Sequence, residues 1–485
     1  MTTAVVLGGG FAGVLAAVVM ARHVDSVTIV ESGWYPPGPG ERPGLAQGYQ
    51  NHVLVAGGAR ALETLLPGTL DALAGQGAHR RDLSGGALIQ GAAGWFRRHE
   101  TGAYLISCSR WLLDHVVRQR ALAGGVVAVR ERTRVLELLG DATRVTGAVL
   151  RHANDRTETL TADIVIDATG RRSQAPRWLA ELDGQAAEGV RETTIDSGLA
   201  YSTRVYQAPA ELAAAIPAVM LHPRAVAGQP DQGATLYPVE GGRWVVTLTG
   251  TRGGEPPGSE YGFAEFARSL RSTIVAELMA AAVPVGRVRP YRATSNRRRF
   301  FEHMRLPAGF LVIGDALVAV NPIYSHGLSV AALSALRLDR DLGRCGAEPA
   351  AFPELQAAMA AEADRSWRMA TGSDGRPTPL RREPTAFERQ VAARMTQAAP
   401  RNLVLMTKMF RTHALIPPEV PEVPEVPEVP EVAGKTAGPG RTPGDTSAAL
   451  SADEAIAQYP GLSEWWFSRR RPVAAASPAL TGGVS

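Results

Sequence analysis

The first thirty-one residues constrain the fold of this chain more than any other segment. Residues 4–7 (AVVL) predict a short buried strand, residues 14–22 an apolar helix, and residues 27–30 a second strand. The turn between the first strand and the helix reads GGGFAG, which fits G-x-G-x-x-G. Glycines at that spacing serve a tight turn and close approach to a pyrophosphate. The segment therefore predicts a dinucleotide-binding βαβ unit.

Each conspicuous residue of this unit has a physical role. Gly8 allows the tight turn, Gly10 has no Cβ to keep a pyrophosphate away, and Gly13 lets the helix pack closely on the sheet. The N-terminus of the helix offers free N–H groups to phosphate. Glu31, at the end of the second strand, can accept hydrogen bonds from both hydroxyls of an adenosine ribose.

Two alternatives fit the same run of residues. One is a glycine-rich turn without a ligand, and the other is a membrane helix, because residues 4–21 are nearly all apolar or glycine. That run is only just long enough to span a bilayer, and the glycine cluster would interrupt it early. No basic flank or cleavage site indicates a signal peptide. We therefore favour the dinucleotide site.

Composition excludes several classes of protein. With 51 basic and 47 acidic residues the net charge is only +4, which argues against nucleic-acid binding. Cys108 and Cys345 fit no metal-ligand spacing and predict reduced thiols in a cytoplasmic protein. A chain of 485 residues has room for two or three domains. No transmembrane segment and no metal site are expected.

The order of the predicted elements indicates an α/β fold with a discontinuous first domain. We assign residues 1–183 and 289–345 to the dinucleotide-binding domain, with a small β-meander at residues 126–150 as an insertion. Residues 184–288, with alternating strands at 199–206 and 244–249, form a substrate-binding β-sheet domain. Residues 346–416 are predicted to be C-terminal helices.

The last part of the chain, residues 417–485, is predicted to be a proline-rich linker and flexible tail. Residues 419–432 repeat Glu-Val-Pro, and proline at every third position favours a polyproline II spacer. A short terminal element contains Trp465, Trp466 and Phe467. We expect a loosely packed tail there, and the alternative is a docking segment for a partner.

A second nucleotide-binding signal lies far downstream. Gly314 and Asp315 follow an apolar strand, and the segment NPIYSHG at residues 321–327 leads into a long amphipathic helix. The aspartate can accept a hydrogen bond from a sugar-alcohol hydroxyl. The N-terminus of the helix would face an electron-rich ring that becomes negative on reduction. Two half-sites so far apart favour flavin adenine dinucleotide (FAD) over a nicotinamide cofactor.

Together these motifs resemble the flavoprotein monooxygenases of the para-hydroxybenzoate hydroxylase fold. The resemblance rests on VVLGGGFAG with Glu31, on Arg110 in SCSRWLLDHVV, on the strand and turn DATG, and on VIGDALVAVNPIYSHGLSVAA. With YPVEGGRWVVTLTGTRGGEPP added, the chain resembles more narrowly the flavin-dependent epoxidases of polyether ionophore biosynthesis in actinomycetes. The likeness covers residues 1–413.

The resemblance implies a set of cofactor-binding residues. Glycines of the first motif would line the pyrophosphate, Glu31 would hold the ribose, and Val135 would offer backbone groups to adenine. Two arginines would reach the phosphate or ribityl region, and the downstream motif would hold the ribityl chain and the isoalloxazine ring. The set is Gly8, Gly10, Phe11, Ala12, Gly13, Glu31, Arg42, Arg110, Val135, Gly314, Asp315, Pro322, Gly327 and Leu328.

One departure from the family concerns the source of electrons. Hydroxylases of this fold usually carry an Asp-Gly motif, linked to use of reduced nicotinamide, where this chain reads DATGRRSQAPRWL. Gly170, Ser173 and Arg177 echo that motif, but the Asp-Gly pair is replaced. NADPH or NADH is therefore expected as the electron source, either directly or through a separate flavin reductase.

The activity implied by the resemblance is epoxidation. One oxygen atom would pass from a C4a-hydroperoxyflavin to alkenes of a linear polyketide polyene, free or bound to a carrier protein. Because the flavin carries the chemistry, we expect an apolar cavity and no His/Asp dyad. The candidate histidines are His52, His222 and His326, of which His326 is near the predicted ring. The alternatives are an aromatic hydroxylase, a flavin reductase of unsaturated chains, and a non-catalytic binding scaffold.

Overall fold

The computed structural model describes residues 1–183, 189–213, 215–224, 226, 228–348, 351–373, 385–417 and 449–470. The strands of this part of the chain are β1 (Thr3–Leu7), β2 (Ser26–Val30), β3 (Val53–Val55), β4 (His79–Asp82), β5 (Ala87–Gly91), β6 (Gly94–Trp95), β7 (Tyr104–Ser107), β8 (Val127–Arg130), β9 (Thr133–Gly140), β10 (Val145–His152), β11 (Thr157–Thr161), β12 (Ile164–Asp167), β13 (Glu192–Ile195), β14 (Ala200–Gln207), β15 (Ala218–Leu221), β16 (Gln232–Val239), β17 (Arg243–Gly250), β18 (Val283–Tyr291), β19 (Asn296–Arg299), β20 (Phe310–Val312) and β21 (Val318–Ala319).

Fourteen α-helices connect or follow these strands in the described residues. They are α1 (Phe11–Met20), α2 (Ala56–Leu65), α3 (Thr69–Gly75), α4 (Arg110–Leu122), α5 (Ala175–Asp183), α6 (Ala210–Ala213), α7 (Glu260–Ser269), α8 (Ile274–Ala281), α9 (Gly327–Cys345), α10 (Phe352–Ser373), α11 (Ala386–Ala398), α12 (Leu403–His413), α13 (Ala452–Ala457) and α14 (Pro460–Ser468).

A five-stranded parallel sheet forms the base of the molecule, in the order β20-β12-β1-β2-β8. Its strands are short apolar runs covered on both faces, as parallel sheets require. The order brings the end of β1, with the glycine turn, close to the end of β20, which leads to Gly314. Two motifs about three hundred residues apart in sequence therefore meet at one edge of the sheet.

One element of the sequence prediction is wrong. The segment around residues 126–129 does not join the β-meander, because β8 pairs in parallel with β2 and forms the edge of the main sheet. The meander itself consists of β9, β10 and β11. It begins beside the dinucleotide motif, since the backbone N–H of Thr133 donates to the carbonyl of Glu31 at 2.9 Å.

A seven-stranded sheet faces the base and forms most of the domain that is predicted to bind the substrate. Its order is β18-β14-β17-β16-β15-β5-β6, so it recruits β5 and β6 from well before residue 184. Strand alternation divides its side chains between two cores. Ala218 and Met220 of β15 pack in the first core with the base domain, while Val219 and Leu221 pack in a second core on the outer face.

The second core is closed by α7, α8 and the end of the chain. Trp465 and Trp466 of α14 are buried in it, which contradicts the expectation of a loose tail. The hydroxyl of Tyr459 donates to the carbonyls of Ser84 and Ala87 at 2.7 Å each. The terminal element thus packs on its own chain and is not free as a docking segment. The Glu-Val-Pro repeat lies outside the described residues.

The observed architecture confirms the predicted α/β class, the inserted β-sheet domain and the C-terminal helices. Among the described helices, none combines the length and the apolar character needed to cross a bilayer.

Candidate functional site

The glycine turn has the close contacts that its motif predicts. Gly8 has a φ of +96°, and a Cβ on Gly13 would lie 1.8 Å from the carbonyl oxygen of Gly8. A Cβ on Gly10, by contrast, would meet no heavy atom of the described residues within 4 Å. The turn is therefore closed toward the protein and open in front of Gly10. Helix α1 starts at Phe11, so the N–H groups of its first turn, including that of Ala12, face this open side.

Glu31 lies at the carboxyl end of β2, and four donors bond its carboxylate, of which the Ser32 hydroxyl is the most distant at 3.4 Å. Oε2 accepts from the backbone N–H of Gly9 at 2.8 Å and from the guanidinium of Arg42 at 2.5 Å, and Oε1 accepts from the N–H of Gly33 at 2.7 Å. Both charged side chains are buried. The structure therefore places Arg42 beside Glu31. This is the end of the crevice in front of the glycine turn where we predict the adenosine ribose.

Tyr35 also lies at this crevice, and the sequence motifs did not identify it. Its hydroxyl donates to the carbonyl of Gly9 at 2.9 Å, and its ring lies between the guanidinium groups of Arg42 and Arg118, at 4.7 and 4.5 Å. A Cβ on Gly9 would stand 2.1 Å from the Tyr35 hydroxyl. Gly9, the variable position of the motif, thus has to be small here for Tyr35 to reach the turn.

Arg110 begins α4, which Ser109 caps as predicted: the Ser109 hydroxyl accepts from the N–H of Leu112 at 3.1 Å. Arg110 pairs with Asp114 one turn later, Nε to Oδ1 at 2.7 Å, and both side chains are buried. The other carboxylate oxygen of Asp114 is buried without a hydrogen-bond partner among the described residues. Asp114 also lines a small recess with Gly9, Gly10 and Tyr35, so an acceptor is available beside the glycine turn.

The downstream motif closes the same crevice from the other side. Gly314 has a φ of +67°, and its Cβ would lie 2.6 Å from Ala12 of α1. The next residue, Asp315, keeps 29% of its side-chain surface exposed, and its Oδ2 lies 3.5 Å from Nε of Arg171. A Cβ on Gly327, where α9 starts, would lie 3.8 Å from Oδ1 of Asp315. The N-termini of α1 and α9 therefore converge around the Gly-Asp pair.

The charge of Asp315 is balanced by two arginines. Burial raises the pKa of its carboxyl group, and the positive charges of Arg171 and Arg110 oppose that rise. Arg171 belongs to the segment that departs from the family pattern. Its guanidinium also donates to the carbonyls of Ser295 and Val320, both at 2.7 Å. Arg171 therefore connects the altered segment to residues 320–326, the loop before α9, which we call the flavin-side loop.

The remaining predicted cofactor residues lie around this crevice. Val135 is half-buried in β9, two residues after the contact between the meander and Glu31. Pro322 opens a short 3₁₀ turn before α9, and Leu328 is the second residue of that helix. The cofactor roles of all these residues remain predictions, although their positions in one crevice agree with a single extended ligand.

His326, the candidate histidine near the predicted ring, is fully buried. Its Nε2 lies 2.9 Å from the carbonyl of His413 and its Nδ1 lies 2.6 Å from the hydroxyl of Ser366. Burial lowers its pKa to about 4. With both ring nitrogens bonded to the protein, His326 joins α9, α10 and α12, and we assign it a structural role.

The inner face of the seven-stranded sheet, which we call the roof of the crevice, carries more polar side chains than the sequence predicts. On the inner face of the seven-stranded sheet, Thr203 donates to Oε1 of Gln50 at 2.6 Å and lies 2.8 Å from the hydroxyl of Thr247. Beside them, the amide of Asn51 donates to the hydroxyl of Thr235 at 3.0 Å. Because Thr203, Thr247 and Gln50 are buried and hydrogen-bonded within the protein, they do not define the lining of a cavity, and the apolar cavity stays a prediction.

An aromatic contact joins the roof to the flavin-side loop. The hydroxyl of Tyr201 on β14 donates to Oδ1 of Asn321 at 2.7 Å, directly before Pro322. The ring of Tyr201 stacks on Tyr291 of β18, with centroids 6.5 Å apart. This contact fixes the distance between the sheet and the loop, and so the height of the space between them.

Four titratable side chains combine accessible surface with a pKa shift that burial mainly causes: His52, His222, Asp315 and His413. The pKa shift is upward for Asp315 and downward for the three histidines.

Comparison with known proteins agrees with this arrangement. Residues 1–373 match the sequence family described as "FAD binding domain". "Protein Rv3254" of Mycobacterium tuberculosis is 28% identical over 354 residues, which cover 70% of this chain and 72% of that protein. Among solved structures, p-nitrophenol 4-monooxygenase PnpA from Pseudomonas putida DLL-E4 superposes with a TM-score of 0.61 at 18% identity, covering 85% of this chain and 99% of that one.

A second solved structure, pqsL, a probable FAD-dependent monooxygenase from Pseudomonas aeruginosa, superposes with a TM-score of 0.58 at 16% identity. It covers 82% of this chain and 99% of its own. At these identities the two structures show a shared fold.

Proposed function

Because the chain belongs to the family of FAD-binding domains, we propose that it is a monooxygenase that transfers one atom of O₂ to an organic substrate. The family confirms FAD as the predicted cofactor, and the solved neighbours agree with the predicted fold of the flavoprotein monooxygenases. The oxygen-transfer step and the substrate are our proposal.

The observation that carries the proposal is the convergence of the two half-sites in one crevice. The open side of Gly10 and the start of α1 suit the pyrophosphate, and Glu31 suits the ribose. Asp315 and the start of α9 suit the ribityl chain and the ring, 3.8 Å separating Oδ1 of Asp315 from a Cβ placed on Gly327. The residues present therefore fit an extended FAD.

The bound flavin would supply the activation of oxygen. The chain's own residues bind it, orient the substrate and exclude water. The contact between Tyr201 and Asn321 holds the sheet over the flavin-side loop, so that a substrate between them is shielded from solvent. Because no proton has to be removed from an alkene for oxygen addition, this arrangement needs no His/Asp dyad.

Two substrate classes follow from different observations. The sequence resemblance supports alkenes of a polyketide polyene, with epoxides as products. The inner face of the seven-stranded sheet carries polar side chains, Thr203, Thr247, Gln50 and Asn51, which are hydrogen-bonded within the protein. A polar face of this kind is more compatible with a substrate that carries polar substituents, such as an aromatic ring to be hydroxylated. We take hydroxylation as the candidate that the geometry supports better.

Electrons would come from NADPH or NADH, directly or through a separate flavin reductase. The altered segment after DATG supports the second route, because Arg171 is engaged with Asp315 and two backbone carbonyls. Steady-state oxidation of NADPH by the purified protein, with and without an added reductase, distinguishes the two routes.

The proposal is tested by a single turnover. The holoprotein is photoreduced without oxygen, then mixed with buffer containing ¹⁸O₂ and a polyene or phenol, while flavin absorbance is followed. We expect a transient spectrum that differs from reduced and oxidised flavin, and one ¹⁸O atom in the product. Direct return to oxidised flavin with no labelled product would favour a reductase. Protein purified without any flavin would favour a binding scaffold.

A further inference from the structure

A second cleft, apart from the crevice that is predicted to hold FAD, lies where the terminal element packs on the rest of the chain. Its volume is about 600 Å³, which is within the range of small-molecule sites. Among the described residues, β4, the segment 98–102 and the start of α14 line it, and none of the lining residues belongs to the predicted FAD site. The hydroxyl of Tyr459 fixes the start of α14 beside the cleft, because it donates to the carbonyls of Ser84 and Ala87.

Arg80 and Arg98 present flat guanidinium groups to this cleft. The guanidinium carbon of Arg80 lies 3.9 Å from the ring centroid of Tyr104, and that of Arg98 lies 5.4 Å from the ring centroid of Tyr459. A guanidinium that rests on an aromatic face keeps its N–H groups at its edge, where they can form paired hydrogen bonds with a phosphate. Both arginines are therefore oriented for an oxyanion.

The arginines of the cleft differ in what else they bond. Nε and Nη1 of Arg98 donate to the carbonyls of Gly85 and Gln458 at 3.0 and 2.9 Å, which holds this guanidinium in place. Arg81 is half-buried and bonded within the protein. Arg80 is exposed, and its guanidinium has no hydrogen bond or ion pair within the described residues. Arg80 is therefore the arginine that is most available to a ligand.

Two carboxylates also face the cleft. Asp82 is occupied, since its Oδ1 accepts from the backbone N–H groups of Gly85 and Thr101 at 3.1 Å each. Glu100 is exposed and has no hydrogen bond or ion pair in the described part of the chain. A Cβ on Gly85 would lie 2.4 Å from Oε1 of Glu100, so this carboxylate lies against the wall of the cleft. The lining thus offers an available acceptor, and its three arginines outnumber its two carboxylates.

The start of α14 adds a backbone donor. No side chain caps this helix, and Pro460 at its first position has no N–H. The N–H of Gly461, which lines the cleft, is therefore the first donor of the helix. Because the N-terminus of a helix carries a partial positive charge, it supports the arginines in attracting an anion.

We propose that this cleft is a second ligand site, which binds a small phosphate ester that also carries free hydroxyl groups, as in a sugar phosphate or a nucleotide. The phosphate would accept hydrogen bonds from Arg80 and Arg98, and a hydroxyl of the ligand would donate to Glu100. The site is independent of the reaction at the flavin, because it shares no residue with the predicted cofactor site.

The test measures binding to the oxidised FAD holoprotein by isothermal titration calorimetry, in a buffer without phosphate or sulfate. The probes are ribose 5-phosphate, AMP, ribose and inorganic phosphate. We expect one ribose 5-phosphate per chain, bound at least about tenfold more tightly than ribose or inorganic phosphate. Flavin absorbance should stay unchanged, because the ligand does not displace FAD. The measurement needs neither electrons nor O₂, so its outcome is separate from that of the ¹⁸O experiment.

The same probes distinguish the two sources of the phosphate ester. AMP that binds no more tightly than ribose 5-phosphate supports a sugar phosphate, whereas AMP that binds about tenfold more tightly supports a nucleotide. No binding of either ester at millimolar concentration would overturn the proposal. Inorganic phosphate that binds as tightly as the esters would show an adventitious ion only, and would overturn it as well.

Substitutions of Arg80 and Glu100 localise the site. Arg80→Gln should weaken the binding of ribose 5-phosphate about tenfold, because a charge-assisted hydrogen bond is lost. Glu100→Ala removes both the hydroxyl acceptor and a negative charge, so it should weaken the binding of ribose 5-phosphate and strengthen that of inorganic phosphate. Arg224→Gln is the matched control, since Arg224 is also exposed and does not line the cleft.

The fold should persist in these variants because the replaced side chains are exposed. Melting temperature and FAD content are measured for each variant. An unchanged affinity for ribose 5-phosphate in Arg80→Gln would overturn the assignment. A change in the same direction for ribose 5-phosphate and inorganic phosphate in Glu100→Ala would also overturn it.

Discussion

The two sides of the crevice are built in different ways. The glycine turn of the cofactor side lies in one continuous segment, residues 3–31, in which Gly13 packs directly against Gly8, and the Gly314-Asp315 motif joins it from far downstream. The substrate side joins residues that are far apart in sequence: Thr203 bonds Gln50 across 153 positions, and Asn51 bonds Thr235 across 184. The cofactor side depends on glycines that leave room for the ligand and for the backbone. The substrate side depends on which polar side chains form hydrogen bonds with each other.

This difference predicts how each side responds to substitution. A glycine turn fails when one atom is added, because the neighbouring backbone cannot move away. A hydrogen-bonded roof loses one interaction at a time, each contributing about 1 kcal/mol. Single substitutions on the cofactor side should therefore abolish FAD binding. Single substitutions on the substrate side should leave the fold intact and change the preference for one substrate over another.

The largest expected effect comes from Gly13→Val. Its Cβ would overlap the carbonyl oxygen of Gly8 at 1.8 Å, so we expect loss of bound FAD together with a lower melting temperature. Gly10→Ala is the matched variant, because a Cβ there meets only open space. It should fold normally and bind FAD more weakly, as measured by flavin absorbance after desalting. Full FAD content in Gly10→Ala would contradict the placement of the pyrophosphate.

The C-terminal element gives the next largest effect, on stability alone. Trp466→Ala removes a buried ring from the second core and should lower the free energy of unfolding by about 3 kcal/mol. Because α14 contacts the outer face of the seven-stranded sheet, FAD content at low temperature should stay unchanged. Phe387→Ala, at an aromatic residue that is 73% exposed, is the control and should change stability little.

Deletion of residues 418–485 should act in the same direction, with a lower melting temperature and retained FAD. A deletion variant with an unchanged melting temperature would show that α14 does not close the second core. Loss of FAD from the folded deletion variant would show that the two sides of the sheet are coupled, which the separate cores argue against.

Asp315→Ala should reduce FAD affinity by about tenfold to a hundredfold, since a hydrogen bond to a charged group contributes roughly 1.5–3 kcal/mol. The fold should persist, because the carboxylate is partly exposed and its ion-pair partner Arg171 keeps two backbone carbonyl acceptors. FAD dissociation constants measured by fluorescence test this expectation, with the exposed Asp196→Ala as control. Equal affinities for the two variants would remove Asp315 from the cofactor site.

The sequence predicted those parts of the site whose chemistry is local. The motif was sufficient to predict the roles of Gly8, Gly13 and Glu31, because the turn, the start of the helix and the end of the second strand lie within one short segment. Asp315 could be paired with them only through the order of strands in a parallel sheet. Ser109 was identified as a helix cap because capping is also a local interaction.

What the sequence could not predict depends on tertiary contacts. Nothing near Tyr35 indicates that its ring lies between Arg42 and Arg118, although Gly9, the middle glycine of the GGG run, was a usable signal that this position needs space. His326 looked like the active-site histidine because it is adjacent to the motif. Its burial depends on Ser366 and on α12, and neither is near it in sequence.

The smallest expected effect tests the roof itself. Thr203→Val keeps the shape of the side chain but removes the hydroxyl that joins Gln50 to Thr247, so we expect a loss of about 1 kcal/mol in stability and normal FAD content. Thr249→Val, on the same sheet and also buried, is the matched control. Because Oε1 of Gln50 then lacks its donor, the affinity for a phenol should change in Thr203→Val and not in Thr249→Val. An equal change of affinity in both variants would mean that the roof contributes through its overall polarity and not through the bond between Thr203 and Gln50. The roof would then differ from the cofactor side, where single positions matter, even more than we propose.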